Sequence, residues 1–355
     1  MKEDKPGGRN KKLLPKTELY LIAAPSNSLP SSEQESPPTT GPLQTATAPS
    51  TSLPSSEQDS PPTVGQLQIY RPSDQCIDSG YSDDGEEDEV SLSNEPQTSR
   101  CLYGIEGIGG LIMELLGGHL HLAPIRKDPS AIYCIGADFG EYANDIGTRY
   151  PGAVVTAVDK RPLEWCVPNV AFYEDKIEED WPLEDDTQDL VHVGLMMQYL
   201  GSLAHLLKEA FRVLKPDGSV EFLELENVQY KHSEVLKNYY FDYTESLYHF
   251  LWRSGRDVDA IYKLEAELHQ AGFVYIQHEI IHIPIGYWPG EPRWGDISAR
   301  IKEQAKLAVG EIGRLVMKSR DRELRLALAR NDLERSAESY FRLHRFAAQK
   351  PASRR

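Results

Sequence analysis

"IYCIGADFGEYANDI", residues 132–146, decides the fold. A short apolar run enters a segment carrying two glycines, Gly136 and Gly140, and leaves through residues of helical composition. A chain that turns sharply out of a strand favours glycine there, because no Cβ blocks close approach or positive φ. Strand, glycine turn and helix in this order open a nucleotide-binding unit. Such a unit has a second requirement, an acid at the end of the next strand to accept hydrogen bonds from ribose hydroxyls. Asp159 closes "GAVVTAVD" (152–159), 19 residues after Gly140.

The same alternation continues on both sides. "AIYCIG" (131–136), "NVAFYED" (169–175), "DLVHVGLM" (189–196) and "GSVEFLELE" (218–226) read as strands, the shortest runs being those of buried parallel strands. "SLAHLLKEAFRVLKPDG" (202–218) is an amphipathic helix with a Pro-Asp-Gly stop. Helices are expected at about 233–254 and 258–271, then an extended run, "FVYIQHEIIHIPIG" (273–286). One long helical stretch from about 296 to 336 and a last strand, "SYFRLHRFAAQ" (339–349), complete the chain. Strand and helix in alternation predict an α/β fold with a doubly wound, mainly parallel sheet.

Residues 1–99 differ from the rest. They hold most of the prolines and serines and almost no apolar clusters, the composition of a disordered tail. Residues 24–47 and 48–71 duplicate a 24-residue unit that lacks the apolar positions a stacked repeat needs. "DSGYSDDGEEDEVSLS" (78–93) embeds serines in acid and reads as a solubilising tract or a phosphorylation-controlled segment. "GGRNKKLLPK" (7–16) has the composition of a nuclear-import signal. The domain division is therefore a tail over 1–99 and a globular domain over 100–350.

The net charge of −17 opposes broad nucleic-acid binding. Residues 318–355 run basic, with 11 Lys/Arg against 5 Asp/Glu. Cys76, Cys101, Cys134 and Cys166 show no close pairing, the pattern of a reduced intracellular protein. No signal peptide or membrane span is visible, so a soluble protein of cytoplasm or nucleus is expected. "HEIIH" (278–282) spells a zinc-protease signature, but that chemistry requires a helix. In the extended segment predicted here, His278 and His282 stand about 13 Å apart, too far to share a metal.

The order of these elements resembles the class I S-adenosylmethionine-dependent methyltransferases, and more narrowly the LaeA-like fungal methyltransferases. The likeness rests on "NVAFYEDKIEEDWP", "DLVHV", "EAFRVLKPDGSVEFLELE", "AGFVYIQHEIIHIPIGYWP" and "SYFRLHRF". It implies a Rossmann-like, seven-stranded sheet whose last strand is antiparallel. It also implies S-adenosyl-L-methionine as cofactor and a regulatory role in secondary metabolism or development, with the nucleus slightly favoured over the cytoplasm. By the same likeness Gly136, Ala137, Asp138 and Gly140 form the cofactor loop, Asp159 meets the ribose, and Asp175 lies near the adenine. No catalytic residue is assigned, since methyl transfer from a sulfonium depends on proximity and alignment. Glu224 and Glu226 read as strand-end carboxylates, structural or solvated, and Tyr199 as a packing residue near the ligand edge.

The family pattern carries over unevenly. Cys134 stands in place of an acid, Asp138 in place of the middle glycine, Lys176 beside the adenine acid, and Gly194 where relatives often carry arginine. Two functions follow: a methyltransferase acting on a small molecule or protein, or a catalytically inactive methyltransferase-like subunit of a regulatory complex. Both allow regulatory protein partners, and neither involves a membrane. Because nothing in the tail contributes buried apolar area, deleting residues 1–95 should leave the melting temperature nearly unchanged. Differential scanning calorimetry of the full and shortened chains checks this, and a fall of more than a few degrees would show that the tail packs.

Overall fold

A computed structural model describes residues 108–117, 121–136, 141–159, 165–174, 177–196, 200–288 and 294–352. The duplication, the acidic serine tract and the basic "GGRNKKLLPK" segment lie outside the described residues. The elements run in the order α1 (Ile108–Leu115), β1 (Ala131–Ile135), α2 (Glu141–Arg149), β2 (Val154–Asp159) and β3 (Val170–Glu174). There follow β4 (Gln188–Gly194), α3 (Leu203–Val213), β5 (Leu214–Lys231), β6 (Glu234–Val235), α4 (Tyr239–Arg253) and α5 (Ala260–Gln270). Last come β7 (Val274–Ile285), α6 (Gly295–Val316), α7 (Arg322–Glu334) and β8 (Ser339–Gln349).

The main sheet has the order β3-β2-β1-β4-β5-β8-β7. The first five strands are parallel; β8 runs antiparallel to both β5 and β7. This is the seven-stranded, mainly parallel sheet with a reversed last strand that the sequence predicts. β1 and β4 are buried along almost their whole length, which explains their unbroken apolar character. One face is covered by α3 and α5. Their apolar stripes, Leu203, Leu206, Leu207, Ala210 and Val213 on one and Ala260, Leu264 and Leu268 on the other, share a cluster with Val191, Val193 and Phe222. The opposite face is covered by α2 over β1 and β2, and by α4, α6 and α7 over β5, β8 and β7. Among the described residues no helix is long and apolar enough to cross a membrane.

Three boundaries depart from expectation. The helix predicted from 233 starts at Tyr239, because residues 231–234 close a hairpin between β5 and the extra strand β6. His232 and Ser233 supply its turn with φ of 49° and 66°, the geometry that matches strand twist but that non-glycine residues rarely signal. Asn238 then caps α4, its side chain accepting from Phe241 N at 3.0 Å. The long helix over 296–336 is two helices, broken where Met317 turns extended. Folding back pays off in contact: Gly313 leaves room for Leu326, whose Cδ2 lies 2.2 Å from where a Cβ would be. "HEIIH" is extended as predicted, in register with β8. His278 stacks on Phe346 and His282 on Tyr340. The described residues contain no group of His, Cys, Asp and Glu able to hold a metal.

The amino end of the sheet is fastened by Asp189, at the start of β4. Its side chain is 3% exposed and accepts from Ser130 N (2.7 Å), Ala131 N (3.1 Å), Ser130 Oγ (2.9 Å) and Lys215 Nζ (2.7 Å). Burial alone would raise this carboxyl, but hydrogen bonds from Lys215 and from Ser130 and Ala131 outweigh it and hold the group below the usual range. A depressed folded-state value means the carboxylate stabilises the fold above the unfolded value, near pH 4, and that this contribution is lost as pH falls through the folded value. Asp189→Asn should therefore cost about 2–3 kcal/mol at pH 7. Urea unfolding of both proteins at pH 7 and pH 3 checks it: the difference should shrink sharply at the lower pH.

Candidate functional site

The carboxyl ends of the parallel strands meet at two glycines. Gly136 follows β1 with φ of 71°, and its N–H donates to Val158 O at 3.0 Å, turning the chain toward β2. A Cβ here would lie 2.2 Å from Gly194 O and 2.4 Å from Met196 Cγ. Conformation and space both require glycine. Gly194 closes β4 directly opposite; its own Cβ would lie 3.1 Å from both Gly136 O and His192 Nε2. The glycine that departs from the family's frequent arginine is thus part of the turn's tight packing.

Asp159 ends β2 one residue beyond Val158, which pairs with Ile135, so Asp159 and Gly136 stand level on neighbouring strands. Asp159 is 5% exposed and stands in register with Glu174 of β3. Of the sequence-predicted cofactor residues, Gly136 and Asp159 are thereby brought together at one edge. Ala137, Asp138, Gly140 and Asp175 lie outside the described residues, as do Lys176 and Tyr199. Helix α2 begins at Glu141, directly after the loop.

Below this edge the packing is polar on one face and apolar on the other. Tyr142, in the first turn of α2, stacks on His192 with centroids 3.5 Å apart. His192 Nδ1 lies 3.6 Å from Glu221, which also accepts from Leu122 N (2.6 Å) and Ala123 N (2.7 Å). Cys134, where the family pattern places an acid, is fully buried in the apolar cluster under α2. Burial, and secondarily the negative Glu221, push its thiol far above the usual range. It is an inert core residue, and a carboxylate with no added partner would be costly there.

The carboxylates of β5 are buried rather than solvated, and they do not end their strand. The strand runs on to Lys231, so Glu224 and Glu226 are interior to it, and each is 2% exposed. Glu224 accepts from Met196 N at 2.9 Å, just past the turn where Leu195 takes φ of 55° and donates to Leu223 O at 2.7 Å. Because Met196 packs against Gly136, Glu224 fixes the floor beneath the Gly136 turn. Glu226 accepts from Tyr262, Tyr230 and His344. The signal that would have found them is the recurrence of acids at 221, 224 and 226 within an otherwise apolar run, "EFLELE".

A glycine cradle beside a buried strand-end carboxylate suits a nucleoside-bearing ligand, with the acid on the ribose diol. The sequence signature of the ubiE/COQ5 methyltransferase family matches residues 155–285. "Methyltransferase pytC" of Aspergillus terreus is 29% identical over 203 residues, spanning 56% of this chain and 62% of that protein. "Secondary metabolism regulator laeA" of Aspergillus flavus is 23% identical over 239 residues, spanning 62% and 63%. The match thus covers less than two thirds of these curated relatives. A Haemonchus contortus phosphoethanolamine N-methyltransferase solved with S-adenosyl-L-methionine aligns at a TM-score of 0.43 and 16% identity, over 73% of this chain and 59% of that one.

The packing of Cys134 has a direct chemical consequence. Iodoacetamide at pH 8 should leave this thiol unmodified in the folded protein and label it on unfolding in guanidinium. Peptide mass mapping with and without denaturant checks the contrast.

Proposed function

We propose that this chain, a relative of the LaeA-like class I methyltransferases, binds S-adenosyl-L-methionine and transfers its methyl group to an acceptor, in the regulation of fungal secondary metabolism or development. The observation that carries the reading is the level pair at the sheet edge: a glycine that admits no side chain, and a buried acid on the next strand. Bound there, the cofactor supplies an activated methyl on a sulfonium. The chain's own part is geometric. Gly136 and Gly194 let the ligand approach the backbone, Asp159 orients the ribose, and Met196, held by Glu224, forms the floor. Alignment of this kind accounts for much of the rate in a bimolecular transfer.

The acceptor is a small molecule or a protein, and regulatory partners and a nuclear location fit the same role. A second reading, a methyltransferase-shaped subunit without activity, is favoured by the inert Cys134 in the family's acidic position and by Asp138 in its glycine position.

Isothermal titration calorimetry with S-adenosyl-L-methionine and S-adenosylhomocysteine separates the two. Asp159→Ala should weaken binding by about 1.5–3 kcal/mol, the range for hydrogen bonds to a charged group, or roughly ten- to a hundredfold. Asp138→Gly should tighten it if the carboxylate obstructs the loop. Wild type and Asp138→Gly both failing to bind at millimolar ligand would leave the inactive subunit as the surviving reading.

A further inference from the structure

The methyl-transfer reading leaves open where the acceptor's proton goes, and the residues around Glu226 address that question. On β5, Leu223 stands level with Gly194, so Glu226 lies three residues past the carboxyl end of β4. It points to the same face as Glu224, the residue that holds Met196 under the cofactor turn. The start of α5 reaches the same place. Just before it, Asp257 N donates to Leu200 O at 3.3 Å, and Arg256 pairs with Glu178, which also accepts from Gly201 N at 3.0 Å. The first turn of α5 is thus tied to the segments that follow β3 and β4, the rim of the ligand edge. Tyr262 sits in that turn and donates to Glu226 Oε1 at 2.5 Å.

The other partners of Glu226 are buried. Tyr230, on the same strand, is fully enclosed and donates to the same oxygen. His344 is 4% exposed, and its Nε2 lies 3.3 Å from Oε2. A carboxylate only accepts, so this contact places the proton of His344 on Nε2 and leaves Nδ1 to receive His278 Nε2 at 3.0 Å. Arg342, level with Glu226 on β8, lies over the Tyr230 ring at 3.8 Å and offsets the buried charge. From α4, Tyr248 adds a third phenol. Burial, and then Glu226, push Tyr230, Tyr248 and Tyr262 far above the ordinary phenol range, so each keeps its proton. Tyr262 alone among the hydrogen-bond partners of Glu226 is partly exposed. It is the one of these partners with surface left open. A buried ion of this kind adds little stability over apolar residues of the same volume, so packing alone does not account for it.

We propose that Tyr262 and Glu226 form the proton acceptor for the methyl acceptor, and that the latter is therefore an O–H or N–H nucleophile. As the nucleophile takes the methyl group, its proton passes to the Tyr262 oxygen while the Tyr262 proton passes to Glu226 Oε1. The carboxylate becomes a carboxylic acid and the sulfonium a neutral thioether. Charge and atoms balance without a further reactant. Tyr262 touches the acceptor and is the catalytic residue; His344 and Arg342 position and compensate Glu226.

The test measures transfer of labelled methyl from S-adenosyl-L-methionine by the full chain to catechol, imidazole and dimethyl sulfide, the last having no proton to lose. Catechol or imidazole should be methylated. Glu226→Gln and Tyr262→Phe should each lower kcat by about a hundredfold, with calorimetric affinity for S-adenosylhomocysteine unchanged. The variants' catechol rates should also rise more steeply with pH than that of wild type, since hydroxide must replace the lost base. Tyr262→Phe keeps ring and packing, so it remains informative if Glu226→Gln unfolds. Unchanged rates in Tyr262→Phe, preferential methylation of dimethyl sulfide, or no transfer to catechol or imidazole by a wild type that binds cofactor would each overturn the proposal. A wild type that does not bind cofactor would instead sink the methyl-transfer reading beneath it.

Discussion

A carbon atom added to Gly136 would lie 2.2 Å from the carbonyl oxygen of Gly194, and that exclusion governs the whole carboxyl edge. It sets how closely the chain leaving β1 can approach the end of β4, and it leaves the backbone at a φ that side chains resist. The neighbouring contacts then follow in order. Leu195 must turn through positive φ to escape the glycine pair, which carries its N–H to Leu223 and the next N–H to the Glu224 carboxylate. The position of β5 relative to the Gly136 turn is thus fixed by a contact two strands away.

β5 is unusual in burying three carboxylates, and each is compensated differently. Glu221 gathers two backbone N–H groups from the segment before β1, Glu224 gathers one from the turn after β4, and Glu226 is reached by two phenols and an imidazole. The first two tie chain segments in place, since breaking either would strand a charge among apolar neighbours. Glu226 differs in that its partners are all side chains with protons of their own.

The central strands were legible because burial on both faces writes an apolar run, as in "AIYCI", and because glycine marks a turn unambiguously at Gly136. The place of Asp159 at the end of β2 was legible from its spacing. What escaped notice has physical causes as well. The hairpin at 231–234 turns through His232 and Ser233, residues that carry no turn signal. The break after Val316 has neither glycine nor proline, and arises because two apolar stripes do better packed on each other than continued as one helix. Glu226 read only as structural or solvated, since the acids in "EFLELE" fit a half-exposed strand as well as a buried one. Its partners, Tyr262 and His344, lie 36 and 118 residues further along the chain, where no local pattern points back to it.

The place of β8 in the sheet has a consequence for how the chain is made. It lies between β5 and β7, although of the described strands it is the last to leave the ribosome. Until it emerges, β5 can pair with β4 on one side only and β7 has no partner in the sheet at all. A nascent chain with β7 made and β8 still missing would present two open strand edges, the state in which chains join to one another instead of to themselves. Completion of this sheet therefore waits on a late segment, which threads a gap already flanked by its two neighbours.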